Sequence, residues 1–275
     1  MKPLLILAGS FLIFACNNNS SKTDETTSAE VMEEVSVLGQ ETSYTTDTLT
    51  LNGYIAYDAS TEEPRPGVLV VHEWWGHNDY ARKRADMLAE LGYVALAVDM
   101  YGDGKQADHP QDAGTFAGMV MSDINVAKAR FEAAMDKLKE NKFVDTTKIA
   151  AIGYCFGGSV VLSMANAGYD LDAVAAFHSG VQLPVAPSED IKAKILVANG
   201  ADDPFIPGPS VDAYKEAMDK VGADYEYIAY EGVVHSFTNP GADTLGEKFE
   251  LPTRYDQTAD EDSWSKMQML FDSVF

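Results

Sequence analysis

The stretch Ile152-Gly153-Tyr154-Cys155-Phe156-Gly157-Gly158 decides how the rest of the chain is read. It has the form Gly-x-Cys-x-Gly and joins a predicted strand ending at Ile152 to a predicted helix beginning at Gly157. A reactive side chain held on a sharp strand-to-helix turn needs small neighbours, so that the backbone can fold tightly beneath it. The following helix offers unpaired N–H groups and the positive end of its dipole. Both favour a thiolate and a developing oxyanion. A free cysteine is also common in cores, where it packs like a small hydrophobe. The turn gains weight only if other reactive residues fall at equivalent places.

Outward from this turn, short apolar runs alternate with amphipathic ones. Strands are predicted at 68–71, 93–98, 148–152, 173–177, 195–199 and 225–230. Helices are predicted at 80–91 (stopped by Gly92), about 115–140, 157–167, 210–221 and 254–271. Residues 48–57 alternate and carry Asn52-Gly53, a hairpin signal, which predicts strands at the sheet edge. Continuous apolar runs such as 68–71 suit strands covered on both faces. The pattern predicts an α/β fold with a mostly parallel central sheet and helices on both faces. In such folds ligands bind beyond the carboxyl ends of the strands.

Three further segments place reactive residues there. Gly200-Ala201-Asp202-Asp203-Pro204 follows the strand ending at 199, and an acid in that loop can hold an imidazole tautomer. Asp203 is the candidate and Asp202 its competitor; solvated turn aspartates are common. Val233-Val234-His235-Ser236-Phe237 follows the last strand and supplies a base, although one histidine of five can land there by chance. His72-Glu73-Trp74-Trp75-Gly76-His77 follows the strand at 68–71, where a second oxyanion-hole N–H is expected; Trp74 and Phe156 are the candidate backbone donors. Glu73 would be a carboxylate near the nucleophile, costly to bury without a partner or a role. His72 and His77 lack a third residue at metal-ligand spacing, so no metal is expected. Trp74, Trp75, Phe156 and Phe237 are candidates for an apolar pocket wall. The order Cys155, Asp203, His235 is that of a nucleophile elbow with its acid and histidine, with Cys in place of Ser.

These segments, together with Val98-Asp99-Met100-Tyr101-Gly102 and the stretch 259–264, resemble the dienelactone hydrolase family over roughly residues 45–275. The resemblance implies an α/β-hydrolase fold and cleavage of carboxylic ester or lactone bonds. It implies a Cys155–His235–Asp203 triad acting through a thioester, Glu73 helping to ionise Cys155, and no cofactor. The sequence departs from the family where arginines would hold a substrate carboxylate. Tyr101 is followed by Gly102-Asp103-Gly104, and Thr238 follows His235-Ser236-Phe237. A small-molecule ester or lactone is expected, without a charge partner for a carboxylated lactone. A non-catalytic binding protein on the same fold, a thiol redox protein and a thiol-dependent amide or peptide hydrolase are the alternatives.

The chain carries 43 acidic against 20 basic residues, a formal net charge of −23, which argues against a nucleic-acid partner. Its two cysteines, Cys16 and Cys155, lie far apart in different settings, so a disulfide framework is not expected. Residues 1–16 read as an export signal: Lys2, then an apolar run too short to span a membrane, ending in Ile13-Phe14-Ala15-Cys16. This resembles a bacterial lipoprotein signal in which Cys16 becomes lipidated. A plain cleaved signal and an uncleaved anchor are the other readings. An exported, periplasmic or cell-envelope protein is expected, touching membrane only through its lipid. Residues 17–43, rich in Asn, Ser, Thr and Glu, read as a flexible linker, with the folded domain at 44–275.

Overall fold

The apolar runs become strands whose alternate residues enter two different cores. The computed structural model describes residues 35–46 and 48–275, so the leader and Cys16 lie outside the described residues. In chain order the elements are β1 (Val37–Thr45), β2 (Thr50–Asp58), β3 (Arg65–Val71), α1 (Asp79–Glu90), β4 (Val94–Val98), α2 (Pro110–Met121), α3 (Ile124–Lys139) and β5 (Val144–Tyr154). They continue with α4 (Phe156–Asn166), β6 (Ala173–Phe177), β7 (Lys194–Gly200), α5 (Gly208–Val221), β8 (Tyr225–Tyr230), α6 (Ala242–Phe249) and α7 (Gln257–Asp272). The eight strands form one sheet in the order β1-β2-β4-β3-β5-β6-β7-β8. The β1–β2 and β2–β4 pairs are antiparallel, and every other pair is parallel.

On one face, Leu69, Val71, Leu96, Ile149, Val174 and Val197 pack with Phe131 of α3, Val160 of α4 and Met218 of α5. On the other, Val70, Ala97, Ala150, Ala175 and Ala198 pack with Leu88 of α1 and Met267 and Phe271 of α7. Period-two side-chain alternation divides each apolar run between the two layers. The expected α/β class, with its mostly parallel sheet and helices on both faces, is what forms.

Several boundaries differ from the sequence reading. Residues 37–43, read as linker, belong to β1, which pairs along its whole length with β2. Most of its side chains are exposed, so an edge strand held by backbone hydrogen bonds shows no apolar signature. Asn52-Gly53 is not the hairpin turn. Both residues lie inside β2, and the chain turns before it, where the Thr46 N–H donates to the Leu49 carbonyl. Gly53 serves a close approach instead, since a Cβ there would stand 2.8 Å from the Ala97 carbonyl oxygen. The single helix expected at 115–140 is two helices, because Asp123 caps α3 by accepting the Asn125 N–H. α6 was not foreseen.

Candidate active site

The four reactive segments meet at the carboxyl edge of the sheet. β5 ends at Tyr154 and α4 begins at Phe156, leaving Cys155 alone on the turn with φ 53° and ψ −114°. A non-glycine residue in that region is strained and needs support from its surroundings. The support is close packing. A Cβ on Gly153 would stand 2.2 Å from the Gly157 carbonyl oxygen, and one on Gly157 would stand 2.2 Å from that of Val71. The Cys155 N–H donates to the Phe177 carbonyl at 2.9 Å, tying the turn to β6. Cys155 itself remains half-buried, and Phe156 opens α4 with its N–H among the free donors of the first turn.

Asp203 lies just past β7 and is buried, whereas Asp202 is exposed. One Asp203 oxygen accepts the Phe205 N–H at 2.8 Å and the other lies 2.6 Å from His235 Nδ1. Because a carboxylate only accepts, the imidazole donates from Nδ1. Asp203, not the exposed Asp202, is thus the hydrogen-bond partner of His235. Burial works against a charge on His235. The nearby Cys155 sulfur and Asp203 outweigh it and push the imidazole up from its ordinary 6.5 to about 10.

Glu73 is buried, and Asn239 donates to one of its oxygens at 2.6 Å. Burial raises its carboxyl above the ordinary range, against the Asn239 amide and the His235 charge, which pull it down. Glu73 therefore sits within electrostatic reach of the histidine while held by an amide rather than by a cation. Trp74 is half-buried, with its carbonyl bound by the Tyr101 hydroxyl at 2.9 Å.

Other expectations shift. Phe237 is fully buried in the core that α1 and α7 cover, not in a pocket wall. Trp75 stacks on Phe249 of α6 in a small satellite core. Thr238 turns inward, with its hydroxyl 2.6 Å from Tyr80 Oη and 2.8 Å from His178 Nε2. His72 and His77 are both buried, and among the described residues no group of three or more His, Cys, Asp or Glu is placed to hold a metal.

Sequence reasoning missed Asn239, the Tyr101 hydroxyl and His178. His178 follows β6 directly, at φ 39°, with its ring 5.2 Å from that of His235. Burial foremost, and then the His235 charge, hold it well below the ordinary histidine range. A position immediately after an apolar strand was the available signal for His178. Asn239 had none.

A model of the dienelactone hydrolase family matches residues 51–275. Protein usf of Aquifex pyrophilus is 30% identical over 233 residues, covering 83% of this chain and 95% of that protein. The solved structure m3DLH is 35% identical with a TM-score of 0.82, over 87% of this chain and 99% of that one. P91, a dienelactone hydrolase-like promiscuous phosphotriesterase from metagenomic libraries, is 34% identical with a TM-score of 0.81, again over 87% and 99%.

Proposed function

The chain belongs to the dienelactone hydrolase family, and on that premise we propose that it hydrolyses carboxylic esters or lactones by thiol catalysis. The observation that carries the proposal is the convergence, at one sheet edge, of Cys155 on its strained turn with the 2.6 Å His235–Asp203 pair. The Cys155 thiolate attacks the carbonyl carbon, and the N–H groups of Trp74 and Phe156 stabilise the oxyanion. The C–O bond breaks as His235 gives a proton to the departing alkoxide, leaving a thioester. His235 then takes a proton from water, which attacks the thioester, and the acid leaves as Cys155 is restored. Asp203 keeps the imidazole oriented throughout. Glu73 takes the role of a nearby carboxylate that helps draw the proton from Cys155.

The substrate is a neutral ester or lactone. Thr238, which stands where an arginine would hold a substrate carboxylate, is turned into the core. Arg84 reaches its backbone but is committed to Asp260. Likeness to P91 favours a second reading, in which the same thiolate attacks the phosphorus of a neutral phosphotriester, the P–O bond to the aryloxide breaks as His235 protonates it, and water attacking the phosphorus then frees Cys155.

The full chain and a Cys155→Ala variant are to be compared on a short-chain aryl ester and a neutral aryl phosphotriester. Ester turnover that vanishes in the variant, with acylated Cys155 seen by mass spectrometry in the parent, is expected. Equal rates in the two proteins overturn the reading. Phosphotriester turnover in excess of ester turnover promotes the second.

A further inference from the structure

We propose that His72 is a positioning residue that aims the Trp74 N–H into the oxyanion hole, a role that rests on the reaction proposed above. His72 is fully buried, so it meets no substrate and acts through its neighbours. Both ring nitrogens are engaged. The Met100 N–H donates to Nε2 at 3.2 Å, and Nδ1 stands 2.5 Å from the Glu73 carbonyl oxygen. A backbone N–H can only donate, so Nε2 accepts and Nδ1 carries the proton. The tautomer is set by the backbone. Burial, the largest influence on the ring, keeps it neutral, with its pKa down at about 4.

That proton lands on an informative atom. The Glu73 carbonyl and the Trp74 N–H belong to one planar trans peptide and point in opposite directions. The same carbonyl accepts the Gly76 N–H at 3.2 Å. Two donors on the oxygen resist rotation of the peptide plane and so fix the direction of the Trp74 N–H. The next peptide is held as well, since the Tyr101 hydroxyl donates to the Trp74 carbonyl at 2.9 Å. Trp74 is thereby gripped on both sides.

The imidazole is wedged in turn. Its ring meets that of Tyr101 edge-on at 4.7 Å and stacks on that of Phe156 at 5.6 Å. One buried side chain therefore touches the residue that supplies the second oxyanion donor while orienting the peptide that supplies the first. Donors fixed before the reaction need no reorganisation as the oxyanion forms, and this is the source of their effect. Without the Nδ1 proton, the 73–74 peptide keeps only the Gly76 bond and can turn.

The test uses the full chain. His72→Phe keeps a ring and removes the donor, whereas His72→Asn restores an N–H near the Nδ1 position. Each variant is assayed for kcat and KM on the aryl ester and for alkylation of Cys155 by iodoacetamide, a displacement that forms no oxyanion. His72→Phe is expected to lose about 100-fold in kcat, with KM and alkylation rate kept, and His72→Asn to recover most of the loss. Wild-type kcat in His72→Phe, a parallel fall of kcat and alkylation, or no recovery in His72→Asn overturns the role. Should His72→Phe fail to fold, His72→Met, which also removes the Nδ1 donor, takes its place in the same assays. A fall in kcat with alkylation intact then supports the arrangement, and an unchanged kcat overturns it. Ester turnover that survives Cys155→Ala removes the underlying reaction and this role together. A null result at His72 with Cys155-dependent turnover intact removes the role alone.

Discussion

His235 is buried among groups that decide its charge. Asp203 and the Cys155 sulfur both favour the imidazolium, and together they overcome burial to hold the proton up to about 10. A raised folded-state value stabilises the fold fully below the unfolded histidine value of about 6.5. That contribution is lost as the pH rises through about 10. Cys155→Ala removes one of the two groups, so His235 should titrate at a clearly lower pH in the variant, and the alkaline limit of this stabilisation should move down with it. NMR titration of the imidazole nitrogens reads this directly. An unchanged midpoint would mean that Asp203 alone holds the proton. Cys155, Asp203, His235 and Glu73 were legible in the sequence because each falls just beyond a strand, where the fold gathers them. Asn239 was not, because only folding brings it to Glu73, 166 residues away. Phe237 misled for a related reason: an aromatic beside a reactive histidine looks like a pocket wall, yet its side chain points into the core.

Among elements, the parallel strands were legible from their apolar runs, and those at 173–177 and 225–230 run as read. Elements that bury little were not. β1 is held by main-chain pairing, and the break between α2 and α3 depends on one aspartate whose capping role competes with continued helix. The junction of β5 and α4 is the most constrained of these places. A Cβ on Gly157 would lie 2.2 Å from the Val71 carbonyl oxygen and 2.6 Å from that of His72, both backbone atoms of the strand and loop beside α4. Gly157→Ala must push α4 away from β3 and should destabilise the protein by about 1–3 kcal/mol, as overpacking does. Gly118→Ala, in the interior of α2 with nothing within 4 Å of the new methyl, should stabilise it by about 0.5–1 kcal/mol. Urea denaturation of both variants reads the two signs. A stability loss at Gly118 equal to that at Gly157 would refute the packing account of the turn.

Across the molecule, a buried cation joins segments far apart in sequence to the loop that carries His235. Arg84 of α1 donates from Nη2 to Asp260 of α7 at 2.5 Å and to the Thr238 carbonyl at 2.6 Å, and from Nε to Tyr80 Oη at 3.2 Å. Its guanidinium lies 5.2–5.4 Å from the ring centroids of Tyr80, Tyr154 and Trp264. Thr238 passes the connection on to His178, whose ring abuts His235. None of this was legible in a chain with a net charge of −23, where one arginine among many ions has no mark. Burial raises the Asp260 carboxyl while Arg84 opposes the rise, which describes a pair dependent on its geometry. Asp260→Ala leaves the guanidinium buried without its counter-charge and should cost about 3–5 kcal/mol, whereas Arg84→Met with Asp260→Leu, which removes both charges, should cost clearly less. The comparison is made by urea denaturation, with esterase activity followed through each transition. If the cation also steadies the histidine loop, activity in Asp260→Ala should disappear at lower urea than the helical signal does. A single variant no less stable than the double would show that the pair does not hold α1, α7 and the histidine loop together.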